Sequence, residues 1–296
     1  MIRGDWRKVS GGPRLGSGAR LVLAFLITAC AVLSASQEGR AQDVASDWIE
    51  GESNRVRLTA GAVDSGAPGV VTAFIELALD KGWKTYWRNP GTAGGIPPVF
   101  DWSKSTNVAS AEVLFPVPRI MSDKAGDVIG YREFVVFPVR IIPKDPSSGI
   151  VLDVTASYGI CEKLCVPVEA NLVLSLPPGP LPAAGADAVS ALEAVPRAMT
   201  DLRPGDPSAF RMEKAAPATL LLSARFPGSP DFAAMFLDVA DGRYLPLPVR
   251  RGVQGDTVTF EVDLGKAEEL SALKGTKVRV TMKGDKGHSE TAFTID

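Results

Sequence analysis

Polar and apolar residues alternate along most of the chain beyond about residue 50. Arg55-Val56-Arg57-Leu58-Thr59-Ala60 switches character at each step, and Ala73, Ile75, Leu77 and Leu79 share one parity in the next run. Tyr131 to Ile142 is rich in Val, Phe and Ile. Ile150, Leu152, Val154, Ala156, Tyr158 and Ile160 form a continuous apolar face opposite Val151, Asp153, Thr155, Ser157 and Gly159. Val166, Val168, Ala170, Leu172, Leu174 and Leu176 repeat that pattern. A period of two over such lengths predicts strands buried on one side. Breaks at Asn89-Pro90-Gly91, Gly94-Gly95, Pro97-Pro98 and Lys144-Asp145-Pro146 separate them. Many short strands punctuated this way predict an all-β chain of antiparallel sandwiches.

The pattern changes at Pro177. PPGPLPAAGADAVSALEAVPRAM is rich in Pro and Ala and predicts a linker over 177–208 with one short helix near Ala188 to Ala194. Strands resume at Thr219 to Phe226, Met235 to Val239, Thr257 to Val262 and Val278 to Met282. The expected architecture is two immunoglobulin-like β-sandwich domains, 42–176 and 209–296, joined by that linker.

The first 41 residues fit neither domain. Arg3, Arg7, Lys8, Arg14 and Arg20 precede an apolar run from Leu21 to Leu33, and Gly39-Arg40-Ala41 supplies small residues for cleavage. This is the pattern of a secretory signal over 1–41. The run is about 13 residues, short of the roughly 20 a membrane-spanning helix needs. Ile27-Thr28-Ala29-Cys30 also has the form of a lipobox, but the apolar run continues past Cys30, which favours ordinary cleavage over a lipoprotein. No later stretch is long and apolar enough to cross a bilayer.

Export changes the charge and the cysteine count. The whole chain has 32 basic and 34 acidic residues; the signal takes six and two of these, moving the net charge from −2 to −6. That balance argues against nucleic acid as a partner. Of three cysteines, Cys161 and Cys165 remain, in YGICEKLCVPVEA. A continuous strand would hold them about 13 Å apart, too far to bridge. A helix would hold them about 6 Å apart, near the limit. The flanking alternation is that of strands, so a hairpin turn at Glu162-Lys163-Leu164 is expected, with both sulfurs on the polar side at an accessible edge. Pro167 suits an edge strand, having no N–H for a ladder.

Three roles are open to the pair. As a staple it closes a very small loop, removing only ~2 kcal/mol of unfolded-chain entropy against ~4.7 for a 100-residue loop. As a redox pair in an exported protein it could cycle between dithiol and disulfide. Two thiolates could also hold Cu(I), whereas zinc would need two more ligands. Lys163 favours a thiolate and Glu162 opposes it.

Other chemistry is sparse. Gly91-Thr92-Ala93-Gly94-Gly95 lacks the lysine of a P-loop and reads as a turn. Trp83, Tyr86, Trp87 and Trp102 read as core packing or as a ligand platform. The single histidine, His288, reads as an isolated surface residue, which argues against Ser-His-Asp hydrolysis.

Several blocks in order, GWKTYWRNPGTAGGIPP (82–98), FDWSKSTNV (100–108), FPVPR (115–119), GYREFVVFPV (130–139) and YGICEKLCVPVEA (158–170), resemble the N-terminal periplasmic domain of DsbD-type protein-disulfide reductases, nearest the ScsB-like branch. The resemblance implies an immunoglobulin-like sandwich in which Cys161 and Cys165 relay electrons from a membrane-embedded thiol carrier to periplasmic thioredoxin-like or disulfide-containing proteins, with no cofactor. Tyr158, Lys163 and Pro167 would support the pair, and Cys165 would form the mixed disulfides. Members of that family carry membrane and thioredoxin-like domains, absent before Asp296, so a separate electron donor is expected. They also shield the cysteines with a cap loop bearing an aromatic residue. The matching stretch, Ile120 to Asp127, has none, leaving Ile120 and Met121 as substitutes.

Overall fold

The structure is a computed structural model and describes residues 44–63, 69–123 and 126–295. The signal expected over 1–41, Cys30 included, lies outside the described residues. Asp43–Asp296 form one compact unit. No helix among the described residues is long and apolar enough to cross a membrane.

Strands dominate. They run β1 (Val44–Ala45), β2 (Ile49–Gly51), β3 (Asn54–Ala60), β4 (Val71–Leu79), β5 (Lys84–Tyr86) and β6 (Val99–Asp101). Then come β7 (Val108–Val113), β8 (Arg119–Asp123), β9 (Gly126–Arg132), β10 (Phe134–Pro143), β11 (Ile150–Cys161) and β12 (Cys165–Leu176). After a helix at Ala186–Glu193 follow β13 (Arg197–Ala198), β14 (Ser208–Ala216), β15 (Thr219–Arg225) and β16 (Ala234–Val239). The last are β17 (Val249–Gln254), β18 (Thr257–Asp263), β19 (Lys277–Lys283) and β20 (His288–Thr294).

They form four sheets. The first has the order β1-β3-β4-β10-β7, with β2 beside β3; the second runs β12-β11-β5-β9-β8, with β6 on β11. The third is β13-β20-β19-β16 and the fourth β14-β15-β18-β17. Pairing is antiparallel except between β13 and β20.

The predicted apolar faces fill the interior. Leu152, Val154, Ala156, Tyr158 and Ile160 are at most 2 % exposed and pack with Leu58, Ile75, Phe137 and Leu172 in a core drawn mainly from the first two sheets, with Phe236 of β16 joining it. A separate core holds Leu222, Leu237, Val258, Phe260 and Val280 from the other two. Each fully buried aliphatic chain contributes about 1.5–3 kcal/mol. The run from Tyr131 to Ile142, expected as one strand, is two: β9 ends at Arg132, and Glu133 adopts a positive φ of 61° before β10 begins.

The Pro/Ala-rich stretch is docked rather than free. Its helix buries Ala188 against Phe74 and Val136 of the first sheet, and Val117 N–H donates to the Ala194 carbonyl. Small alanine side chains permit that close approach.

Candidate functional site

β11 and β12 pair over their full length in one register, which ends by placing Cys161 directly opposite Cys165. Glu162, Lys163 and Leu164 make the exposed connection. The two Sγ atoms are 3.3 Å apart, both as free thiols. A disulfide bond is about 2.05 Å long, so closure needs only a small side-chain movement.

Odd and even positions of β11 face opposite ways, so Cys161 points away from the main core, as the parity predicts. It is not accessible, however. Cys161 is 6 % exposed, packed with Tyr86, Met121 and Val128 in a small apolar cluster. Cys165 is exposed. The expectation of two accessible sulfurs therefore holds for one of them. The cover arrives from β5 and from the β8–β9 hairpin.

Tyr86 is the central contact. It is fully buried, and its hydroxyl meets Cys165 Sγ at 2.7 Å, where either atom can donate. Burial pushes the phenol well above its ordinary range, and the hydrogen bonds with Cys165 and Cys161 add to this. Tyr86 thus remains a phenol and can donate to a thiolate. Its ring fits because two neighbours are glycines. A Cβ on Gly95 would lie 2.2 Å from the ring, and one on Gly159 would lie 3.0 Å from it and 2.8 Å from Ile96. The glycine-rich loop is a wall of this cluster.

Burial also pushes the Cys161 thiol up, and the Cys165 thiol beside it adds to the effect. The Tyr86 hydrogen bond and the positive charge of Lys84 act against this rise. Lys84 is 5 % exposed and lies opposite Cys161 in the β5–β11 register. The cation acting on Cys161 is thus Lys84, while Lys163 sits exposed in the turn.

The other expected supports divide. Pro167 is exposed on β12, an edge strand of its sheet. Met121 is buried beside Cys161, while Ile120, one residue before it, is 44 % exposed. Both belong to β8, so the stretch expected as a cap loop begins as a strand. Tyr158 has the opposite parity to Cys161 and enters the main core, where its hydroxyl donates to Asn54 Oδ1 at 2.8 Å. Tyr86 and Lys84 were not singled out for the pair by their sequence, because β5 is only three residues long and shows no period. Their signal is position: they share a face at i and i+2.

His288 is partly buried rather than on the surface. Its backbone N–H donates to Asp206 Oδ1. Among the described residues no group of three or more His, Cys, Asp or Glu gathers as a metal site. A cavity of about 820 Å³ lies elsewhere, lined by Arg88, Arg140, Arg197, Asp238, Arg279 and Glu290 among others, and by neither cysteine.

Residues 57–177 match the family described as "Thiol:disulfide interchange protein DsbD, N-terminal". Over this segment the chain is similar to DsbD N-terminal domains. Its match contains both cysteines, Tyr86 and the β8–β9 hairpin. The structure of the N-terminal periplasmic domain of ScsB from Proteus mirabilis is similar at a TM-score of 0.64 and 24 % identity, covering 86 % of this chain and 99 % of that one. That likeness extends the shared fold beyond the DsbD segment into β14–β20. Bovine butyrophilin (TM-score 0.20, 11 % identity, 76 % of this chain and 91 % of that one) also matches, at a score too low to carry a structural inference. No curated protein matches the chain significantly.

Proposed function

We propose that the chain is a periplasmic thiol–disulfide interchange protein whose redox centre is Cys161 and Cys165. The observation that carries this reading is the pair itself: two sulfurs 3.3 Å apart at a hairpin tip, one exposed and one covered. A structural staple has no need of an exposed member, and exposed bridges are the reducible ones.

The Cys165 thiolate attacks one sulfur of a partner disulfide. That S–S bond breaks, the partner's other sulfur leaves as a thiolate and takes a proton, and Cys165 is joined to the partner. Cys161 then loses its proton and attacks Cys165 Sγ. The mixed disulfide breaks, the partner's second thiolate leaves, and the Cys161–Cys165 disulfide forms. Two electrons and two protons pass to the partner. A membrane-embedded thiol carrier returns them by the reverse exchange.

The environment suits this order. The Tyr86 hydroxyl donates to the Cys165 thiolate before attack and to the same sulfur as a leaving group in the return reaction. Bonding of Cys165 to a partner removes its thiol from Cys161, one of the influences holding the Cys161 proton on. Lys84 and Tyr86 then favour the second thiolate. Resolution is intramolecular and needs no diffusion.

In this reading 1–41 direct export, 42–176 form the redox domain and 209–296 a second, smaller domain, each an immunoglobulin-like sandwich. Pro167 leaves the β12 edge open to a thioredoxin-like partner.

Serine variants test the reading. Cys161→Ser should accumulate mixed disulfides between Cys165 and periplasmic proteins, separable on non-reducing gels. Cys165→Ser should accumulate none. Absence of trapped species in both variants overturns the proposal.

A further inference from the structure

Four consecutive residues, Tyr86 to Asn89, join the sulfur pair to the far pair of sheets. Tyr86 touches Cys165. Trp87 is fully buried, and its ring packs on Phe236 of β16 with centroids 5.7 Å apart. Arg88 lies over the Trp87 ring and sends Nη2 to Glu290 at 2.6 Å, Thr281 at 3.1 Å and Asp238 at 3.3 Å. Asn89 is 5 % exposed and donates to the Leu237 carbonyl at 2.9 Å and the Leu245 carbonyl at 3.4 Å. Its own Oδ1 accepts from Gly91 N–H, at the start of the loop that walls the Tyr86 ring.

We infer that Arg88 and Asn89 are positioning residues through which β13–β20 set the reactivity of Cys165, by holding Tyr86 against its sulfur. The inference rests on the proposed role of the sulfur pair and gives the second pair of sheets a part in it. β5 ends at Tyr86; beyond it the backbone keeps two bonds to β9, Trp87 N–H donating to the Ile129 carbonyl at 3.0 Å and Ile129 N–H to the Pro90 carbonyl at 2.9 Å. Between those two bonds, the side chains of Arg88 and Asn89 are held by charged and amide contacts to another part of the fold. Asp238 and Thr281 are buried at 4 % and 0 % exposure, so Arg88 has few alternative placements. A hydrogen bond to a sulfur depends steeply on distance and angle. Small displacements of the 86–89 backbone are therefore felt at Cys165.

Alternative roles for Arg88 are weaker. Several charges lining its cavity are already paired: Arg279 binds Asp238, and Arg197 binds Glu193 and, outside the lining, Asp206. That pairing helps the test, because Asp238 keeps Arg279 when Arg88 is replaced.

The measurement is the rate at which iodoacetamide alkylates Cys165 in the reduced, full-length chain at pH 7, with peptide mapping to separate it from Cys161. Asn89→Ala and Arg88→Leu should each change that rate about three-fold or more, the worth of one hydrogen bond. In a Tyr86→Phe background the same substitutions should change it less than about two-fold, since they act through the hydroxyl. Arg225→Ala, which removes an exposed ion pair to Asp256 in the same sheets, should leave the rate unchanged. If Arg88→Leu does not fold, Asn89→Ala and Arg88→Lys carry the comparison. Unchanged rates with Tyr86 present, or equal changes with and without it, overturn the inference. Alkylation needs no partner disulfide, so this outcome is independent of whether mixed disulfides form in cells.

Discussion

On the inner side of the second sheet, Tyr158 is 2 % exposed and donates its hydroxyl to Asn54 Oδ1, itself buried and fixed. On the outer side, Tyr86 is as deeply buried, yet its hydroxyl meets Cys165, whose residue is open to solvent. Burial raises both phenols, so both stay protonated. The two differ in what receives the hydrogen bond. An amide oxygen in a packed core has one state, and the bond contributes only stability. A sulfur that changes between thiol, thiolate and disulfide has several, and the same bond alters their relative energies. Burial and hydrogen bonding alone do not mark a functional tyrosine; the chemistry of the partner does.

The sharpest test of that contrast removes each side chain. Tyr158→Ala should cost about 3–5 kcal/mol through the cavity it leaves, and Tyr158→Phe about 1–2 kcal/mol through the orphaned Asn54 oxygen. Both are read from urea midpoints, and Tyr158→Phe should leave the Cys165 alkylation rate unaltered. Tyr86→Phe should slow that alkylation by about three-fold or more. A Tyr158→Phe variant with altered thiol reactivity but normal stability would erase the distinction.

A smaller effect separates the two sulfurs. The Cys161 thiol is held above the usual cysteine value of about 8.5, first by burial and then by Cys165. A folded thiol raised above its unfolded value stabilises the fold below that unfolded value. The contribution declines as pH rises through the folded value. The reduced protein should therefore lose stability from about pH 8.5 upward, relative to Cys161→Ser. Near pH 7 the difference no longer varies with pH. Parallel pH profiles for the two proteins would show that Cys161 is not shielded as described.

Much of this was legible in the sequence, for a physical reason. The alternation from Ile150 to Ile160 records a strand with one dry face, and those residues line the core. The four strands expected between Thr219 and Met282 fall within a residue of their expected ends, while β17 in the same stretch was not expected. The turn at 162–164 and the facing cysteines follow from parity on both sides. The cover over Cys161 was legible only in part: Met121 was expected there from the family resemblance, and Tyr86 was not. Tyr86 and Met121 reach it through non-local pairings, β5 on β11 and β8 on β9, that no local period encodes. Tyr158 was favoured over Tyr86 because it is near in sequence, but its parity sends it to the core. A wall glycine such as Gly95 is indistinguishable from a turn glycine until the ring beside it is placed.

The central claim is that this sulfur pair opens and closes in the folded protein. Equilibration of the native chain in glutathione buffers, with both thiols scored by mass spectrometry, tests it directly. The account predicts a reversible dithiol–disulfide transition with a midpoint above about −300 mV, passing through a glutathione adduct on Cys165. A pair that stays oxidised well below that potential, or that reacts only after the protein unfolds, would contradict it.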